Sequence, residues 1–268
     1  MKQYELKDYI KTLEDNKLLK SKNIPESILH MKVSNVSYNS KEVEENTIFI
    51  CKGNKFKEEY IREAMSLGAI LYISEKKYLE YPHILVTDIR KALALLSRLY
   101  YNNPTSEMNV IGITGTKGKS TTAFFTKSIL DEYMKDTAIL SSILNYDGES
   151  HEALVTTPES LEIYQYMRAS LENDIKTMVM EVSSQALKYH RVYQIPYKVG
   201  VFTNISMDHI SPIEHPNFED YFHSKLSLFE NCETICINLD SDYIEEILAS
   251  AKNHKIITYS LKNKRADV

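Results

Sequence analysis

The sequence is poor in the residues that mark special architectures. Its 268 residues contain three cysteines, Cys51, Cys232 and Cys236, an odd number that fits buried reduced thiols better than a disulfide framework. Cys232 and Cys236 stand four apart with no second Cys/His pair at zinc-like spacing, so a structural zinc site is excluded as well. No apolar run approaches the ~18 residues needed to span a bilayer, and the first twenty residues scatter their charges without an apolar signal core. These absences predict a cytoplasmic chain that does not enter a membrane. No repeat or low-complexity segment occurs, and 32 basic against 37 acidic residues give a formal charge of -5 without long blocks of one sign. Nothing in that balance favours nucleic acid, although a local basic cluster could still hold a small anion.

What is present is an alternation of apolar runs and amphipathic stretches. In the first hundred residues "NTIFICKG", "ILYIS" and "HILVTD" read as strands, while "KEEYIREAMSLGA" and "IRKALALLSRLYYN" read as helices. The turn-rich "NPTSEMN" is the expected linker, dividing the chain into domains 1–105 and 106–268. Beyond it, "VIGIT", "TAILS", "TMVMEV", "KVGVFTN", "TICIN" and "KIITYS" are apolar on both faces and mostly separated by helices. That pattern predicts an α/β fold with a mostly parallel sheet buried on both sides, whose ligand sites lie at the carboxyl ends of its strands. The chain stops at "LKNKRADV", directly after a strand, where an open sheet would be expected to continue.

Only seven glycines occur, and three of them, Gly112, Gly115 and Gly118, fall in "GITGTKGKSTT". A full P-loop would carry glycine five residues before the Gly-Lys pair, where Ile113 stands. The order strand, glycine loop, Lys119-Ser120, helix nevertheless suits phosphate: backbone N–H groups and a helix N-terminus face the anion, lysine neutralises it, and serine can reach Mg²⁺. The following helix should bury Ala123, Ile129, Leu130, Tyr133 and Met134. Glu181, closing "TMVME", is then the natural second Mg²⁺ ligand. Asn204, Asp208, His209, Glu214, His215 and Lys225 crowd the stretch after "KVGVF". Of these, His215 reads as an ordinary surface or satisfied core histidine.

Five ordered motifs, "GTKGKST", "TTPES", "MEVSSQALKYHRV", "FTNISMDH" and "YFHSKLSLF", resemble those of the Mur ligases, most of all the branch that extends UDP-N-acetylmuramoyl-dipeptide. The resemblance implies an ATP-dependent, amide-forming ligase of peptidoglycan synthesis, acting as a monomer with UDP-N-acetylmuramoyl-dipeptide and an amino acid as substrates. It implies ATP binding by Gly115, Thr116, Lys117, Gly118, Lys119, Ser120 and Thr121, with Lys119 on the transferred phosphate. Mg²⁺ would be held by Ser120, Glu181, His209 and Lys225, the last carbamylated by CO₂, and Asn204 would shape the same pocket. Ser40, Thr156, Thr157, Ser183 and Arg191 would contact the UDP-sugar peptide. The family continues into a third domain for the amino acid, so this stretch alone is expected not to complete a catalytic cycle. Lys117, Val155, Gln185, Tyr189 and the segment "DHISPIEHPNFEDY" depart from the family pattern, in the parts that read substrate. Two alternatives stand beside this reading: a related ligase acting on another carboxylate, and a non-catalytic nucleotide- or UDP-sugar-binding fragment.

Overall fold

A computed structural model describes every residue except Met1, Asn54, Met134, Lys135, His209, Pro212 and Ile213. The chain forms two units, Met1–Asn103 and Pro104–Val268. The boundary falls just ahead of Pro104, which with Thr105 is buried in a short 3₁₀ turn belonging to the second unit.

The first unit runs α1 (Leu6–Asp15), β1 (Leu19–Asn23), β2 (Asn35–Ser37), β3 (Thr47–Ile50), α2 (Glu58–Ser66), β4 (Ala69–Ser74), β5 (His83–Val86) and α3 (Ile89–Tyr100). Its sheet has the order β1-β5-β4-β3-β2, parallel except for the antiparallel β1 edge. All four residues of β3 are buried, as are five of the six in β4, which is why these runs lack the polar alternation of a half-exposed strand. Asp88 caps α3 by accepting from the N–H groups of Arg90 and Lys91. Ser40 is buried at the start of a 3₁₀ turn, Ser40–Glu42, that Asn39 caps.

The second unit continues with β6 (Asn109–Thr114), α4 (Lys119–Tyr133), β7 (Ala138–Leu140), β8 (Leu144–Tyr146), β9 (Ser150–Glu152), α5 (Ser160–Glu172), β10 (Thr177–Glu181), α6 (Ser184–Lys188), β11 (Tyr197–Phe202), α7 (Phe218–Leu226), β12 (Cys232–Asn238), α8 (Ile244–Ala251) and β13 (Lys255–Tyr259). Its sheet order is β13-β12-β11-β6-β10-β7-β8-β9. The six strands from β13 to β7 are parallel, and β8 and β9 add an antiparallel hairpin that the apolar pattern does not announce. The register aligns Ile113 of β6 with Glu181 of β10, and Thr114 of β6 with Phe202 of β11. Three carboxyl ends therefore open onto one place.

The α4 face differs from the expected one. Ala123 is buried against Ile113, Ile139 and Val179, and Phe124 and Leu130 pack beside it, but Ile129 and Tyr133 are exposed. Met134 lies outside the described residues. A rotation of about one residue explains this: the helix seats its Ala123 stripe on the sheet, and in a 3.6-residue period that turns positions 129 and 133 outward. Cys51 and Cys232 are buried free thiols, and Cys236 is half-buried.

Two glycines are packing requirements of the sheet. At Gly200 a Cβ would stand 2.3 Å from Cys232 Sγ, and at Gly112 it would stand 2.6 Å from the Tyr197 ring. Gly200→Ala should therefore destabilise the second unit by about 1–3 kcal/mol through overpacking. Urea unfolding should show Gly200→Ala/Cys232→Ala to be more stable than the sum of the single changes; strict additivity would contradict the contact.

Candidate functional site

The loop between β6 and α4 has only four residues, Gly115 to Gly118, because Ile113 is a fully buried member of β6 rather than part of the turn. Gly115 has φ +148° and Gly118 has φ +81°, conformations that side chains resist. A Cβ at Gly115 would fall 2.0 Å from Thr203 Oγ1, so the residue after β6 can only be glycine while the end of β11 stays where it is.

The segment after β11 grips this loop from the other side. Lys117 N–H donates to Asn204 Oδ1 at 2.9 Å, and Asn204 Nδ2 donates to the Lys117 carbonyl at 3.0 Å. Thr203 Oγ1 donates to the same carbonyl at 2.9 Å, and Thr116 N–H donates to the Asn204 carbonyl at 2.9 Å. The buried Thr116 hydroxyl meets Tyr221 OH at 3.0 Å and accepts from Ser206 N–H at 3.0 Å. Asn204 thus acts by fixing the loop backbone, and Thr116 is an anchor within it.

Two lysines converge on the loop's first carbonyl. Lys119 Nζ donates to the Gly115 carbonyl at 3.1 Å and the Thr116 carbonyl at 3.2 Å, and Lys225 Nζ donates to the same Gly115 carbonyl at 2.9 Å. Lys225 is 1% exposed and lies over the Tyr221 ring at 4.7 Å. Burial, helped by the neighbouring Lys119 charge and opposed by Asp208, brings its pKa down to about 7. Burial lowers Lys119 too, against the attraction of Glu181 and Asp208. A buried amine that gives up its proton near neutrality is the form that can react with CO₂.

Glu181, at the end of β10, is 1% exposed. Its Oε1 accepts from Ser142 N–H at 2.9 Å and Ser142 Oγ at 3.2 Å, and Ser142 Oγ lies 3.0 Å from Ser120 Oγ. Ser120 and Glu181 offer hard oxygen donors beside the glycine loop, a donor set that fits Mg²⁺. Among the described residues no group of three or more His, Cys, Asp or Glu forms a metal cage. His209 lies outside the described residues.

A pocket of about 310 Å³ joins this cluster to the substrate candidates; Lys119, Val155, Thr156, Thr157, Ser183, Ser184, Gln185, Arg191, Glu214 and Lys225 line it. Thr157 Oγ1 donates to the Glu181 carbonyl at 2.9 Å and accepts from Ser183 N–H at 3.0 Å, while Ser183 Oγ caps α6 by accepting from Ala186 N–H at 3.1 Å. Arg191 Nη1 donates to the Thr157 carbonyl at 3.0 Å, and its Nε lies 3.0 Å from Glu159 Oε1. Thr156, Thr157, Ser183 and Arg191 are therefore brought together, with Ser40 in the other unit. Sequence reasoning missed three features of this site: Ser142, which lies outside the motifs; Tyr221, which opens "YFHSKLSLF" without being singled out there; and the pairing of Gln185 Nε2 with Glu214 Oε1 at 2.9 Å. His215 is fully buried, 2.6 Å from Asp220 Oδ2 and 2.9 Å from Ser184 Oγ, as a satisfied core histidine should be. Burial works against Asp220, but hydrogen bonds from Lys188 and His215 outweigh it and hold the carboxyl low.

The Lys225 shift has a stability consequence. With a folded pKa near 7 and an ordinary value of 10.5, the unfolded chain binds more protons across that window, so this residue makes stability rise with pH through it. In bicarbonate-free buffer, the stability of wild type relative to Lys225→Met should improve by up to about 1.4 kcal/mol for each pH unit between neutrality and the ordinary lysine range. Urea unfolding at a series of pH values checks this, and parallel curves would contradict it.

Residues 113–268 match the Mur ligase middle domain. Over 230 residues the chain is 44% identical to the UDP-N-acetylmuramoyl-L-alanyl-D-glutamate--L-lysine ligase of Enterococcus faecalis, covering 84% of this chain and 45% of that protein. Over 247 residues it is 42% identical to the UDP-N-acetylmuramyl-tripeptide synthetase of Lactobacillus delbrueckii subsp. bulgaricus, covering 89% and 48%. The chain spans about half the length of the curated relatives it matches. The solved structure of a UDP-N-acetylmuramoyl-L-alanyl-D-glutamate--2,6-diaminopimelate ligase shares the fold at TM-score 0.80 and 23% identity, over 91% of this chain and 52% of that one. MurF from Acinetobacter baumannii shares it at TM-score 0.68 and 19% identity, over 100% and 55%. The glycine loop, Glu181 and Lys225 all fall within the matched residues, and the chain belongs to the Mur ligase family.

Proposed function

We propose that the chain carries the UDP-sugar-binding domain and the ATP-binding core of a cytoplasmic ligase that adds an amino acid to UDP-N-acetylmuramoyl-dipeptide in peptidoglycan synthesis. The observation that carries this reading is the convergence of Lys119 and Lys225 on the Gly115 carbonyl, in one pocket with Thr156, Ser183 and Arg191, while Ser142 links Glu181 to Ser120 beside the same loop. The relatives' names supply the substrate class, and the short-loop geometry supplies the phosphate.

In this reading a carboxylate oxygen of the dipeptide attacks the γ-phosphorus of ATP and ADP leaves, giving an acyl phosphate. The amino acid's amine then attacks the acyl carbon, and inorganic phosphate leaves with the electron pair of the broken C–O bond. The first step brings two anions together, so its barrier falls where preorganised positive charge surrounds the transferred group. Lys119 would exchange its contacts with the Gly115 and Thr116 carbonyls for phosphate oxygens, at the N-terminus of α4. Gly115 to Thr121 would cradle the phosphates, with Lys117 held in place by Asn204. Thr157 and Ser183 brace the pocket wall through their hydroxyls, which leaves Thr156 and Arg191 to meet the substrate's own anionic groups. Ser40, in the first unit, keeps the UDP-sugar role that the resemblance implies for it. Mg²⁺, when bound, would screen the phosphate charge, and Ser120 and Glu181 would hold it, with His209 and carbamylated Lys225 completing the protein's share. Carbamylation turns the Lys225 amine into a carboxylate and releases one proton.

Calorimetry of the chain with a non-hydrolysable ATP analogue and Mg²⁺ should show binding that Lys119→Ala weakens by about 10–100-fold, the effect of one lost charge-assisted contact. Phosphate release from ATP, measured on the protein at the length of its relatives, should then be stimulated by UDP-N-acetylmuramoyl-dipeptide. Turnover with a different acid and none with this one would sink the substrate assignment. Unchanged nucleotide binding by Lys119→Ala would sink the site.

A further inference from the structure

The loop that follows β7, "SSILN", has no part in the motifs of the phosphate site, yet it reaches the centre of it. Ser142 is an exposed serine whose backbone N–H and hydroxyl both point at one atom, Glu181 Oε1, at 2.9 and 3.2 Å. The same hydroxyl lies 3.0 Å from Ser120 Oγ. A hydroxyl has one proton, so the direction of this chain is determined: Ser142 donates to the carboxylate, and Ser120 donates to Ser142. Ser120's proton is thereby turned away from the phosphate side, and its lone pairs are left for a cation. On Glu181, both donors converge on Oε1, which leaves Oε2 as the oxygen available to the same cation.

The loop is built to hold this arrangement. Ser141 is fully buried, and its hydroxyl donates to the Leu144 carbonyl at 2.7 Å while accepting from the N–H groups of Ile143 and Leu144 at 3.2 and 3.0 Å. Asn145, 3% exposed, accepts from Ser141 N–H at 3.1 Å. Two buried polar side chains on either side of an exposed serine fix its backbone before any ligand arrives. The closure of β7 onto the β8–β9 hairpin thus has a chemical use beyond ending the sheet.

We infer that Ser142 is a positioning residue for the divalent cation: it orients Ser120 and Glu181 as a pair and sets how tightly they hold the ion beside the phosphate. This rests on the ATP reading of the site. Residues that orient metal ligands through hydrogen bonds typically change metal affinity by about 10–100-fold when removed.

The test is the Mg²⁺ dependence of binding of a non-hydrolysable ATP analogue, by calorimetry, for wild type, Ser142→Ala and Ser142→Thr. Ser142→Ala keeps the backbone donor to Glu181, so the urea midpoint should stay at the wild-type value, and analogue binding in EDTA should change less than about twofold. The Mg²⁺ concentration for half-maximal enhancement should rise by about tenfold or more, and Ser142→Thr, which restores the hydroxyl, should return it to within about threefold of wild type. An unshifted Mg²⁺ requirement in Ser142→Ala overturns the inference and leaves the nucleotide reading standing. Equal shifts in the Ala and Thr variants, or equal losses with and without Mg²⁺, overturn it in favour of a purely structural loop. Failure of wild type to bind the analogue in either condition sinks the nucleotide reading and this inference with it.

Discussion

One carbonyl organises the second unit. The Gly115 oxygen, at the end of β6, draws both Lys119 and Lys225, two amines that would repel each other as ammonium ions. Lys119 sits at the N-terminus of α4, where the helix dipole adds to its charge; Lys225 comes from α7 and is almost fully enclosed. Burial and the neighbouring charge act in the same direction on Lys225, and it yields its proton near neutrality. A single arrangement therefore makes a cationic seat of the kind proposed to take phosphate, with a readily neutralised amine beside it. The second is a precondition for the carbamate chemistry proposed for this residue.

That arrangement depends on the sheet. Parallel strands put all their carboxyl ends on one side, and the registers of β6 with β10 and β11 set Glu181, the glycine loop and Asn204 at one level. The loop can be only four residues long because β6 keeps Ile113, and it can approach β11 so closely because Gly115 has no side chain. The polar groups around it are bonded to one another before any ligand arrives: Asn204 to Lys117, Thr116 to Tyr221, Thr157 to Ser183, Ser142 to Glu181. Such mutual bracing is what electrostatic preorganisation requires, since a donor already held in place costs nothing to reorient when charge moves.

Much of this was legible in the sequence, for identifiable reasons. The central strands β6, β7 and β10 show as two-sided apolar runs because both faces are covered, whereas β13, equally apolar in sequence, is an edge strand with none of its residues buried; the glycine loop shows because glycine, lysine and serine stand in the fixed order that suits phosphate. The β8–β9 hairpin was not legible, because three-residue strands at a sheet edge have too little buried surface to impose a pattern. The outward turn of Ile129 and Tyr133 was hidden because a helix rich in apolar residues offers two faces, and only the sheet chooses between them. Lys225 sits in "YFHSKLSLF", where composition describes a solvated helix lysine; its burial is decided by Gly115 and Tyr221, which lie 110 and 4 residues away. Ser142 is the clearest case. A serine in a turn is common, and its importance comes entirely from the two oxygens that tertiary structure places beside it.

Enclosure of Lys225 brings its amine toward the neutral form that can react with CO₂. The most direct test is ¹³C NMR of the protein in ¹³C-bicarbonate slightly above neutral pH, where a carbamate forms only on an amine that has lost its proton. The account predicts one carbamate resonance in wild type that is absent from Lys225→Met. Identical spectra from the two proteins, with or without a carbamate signal, would contradict it.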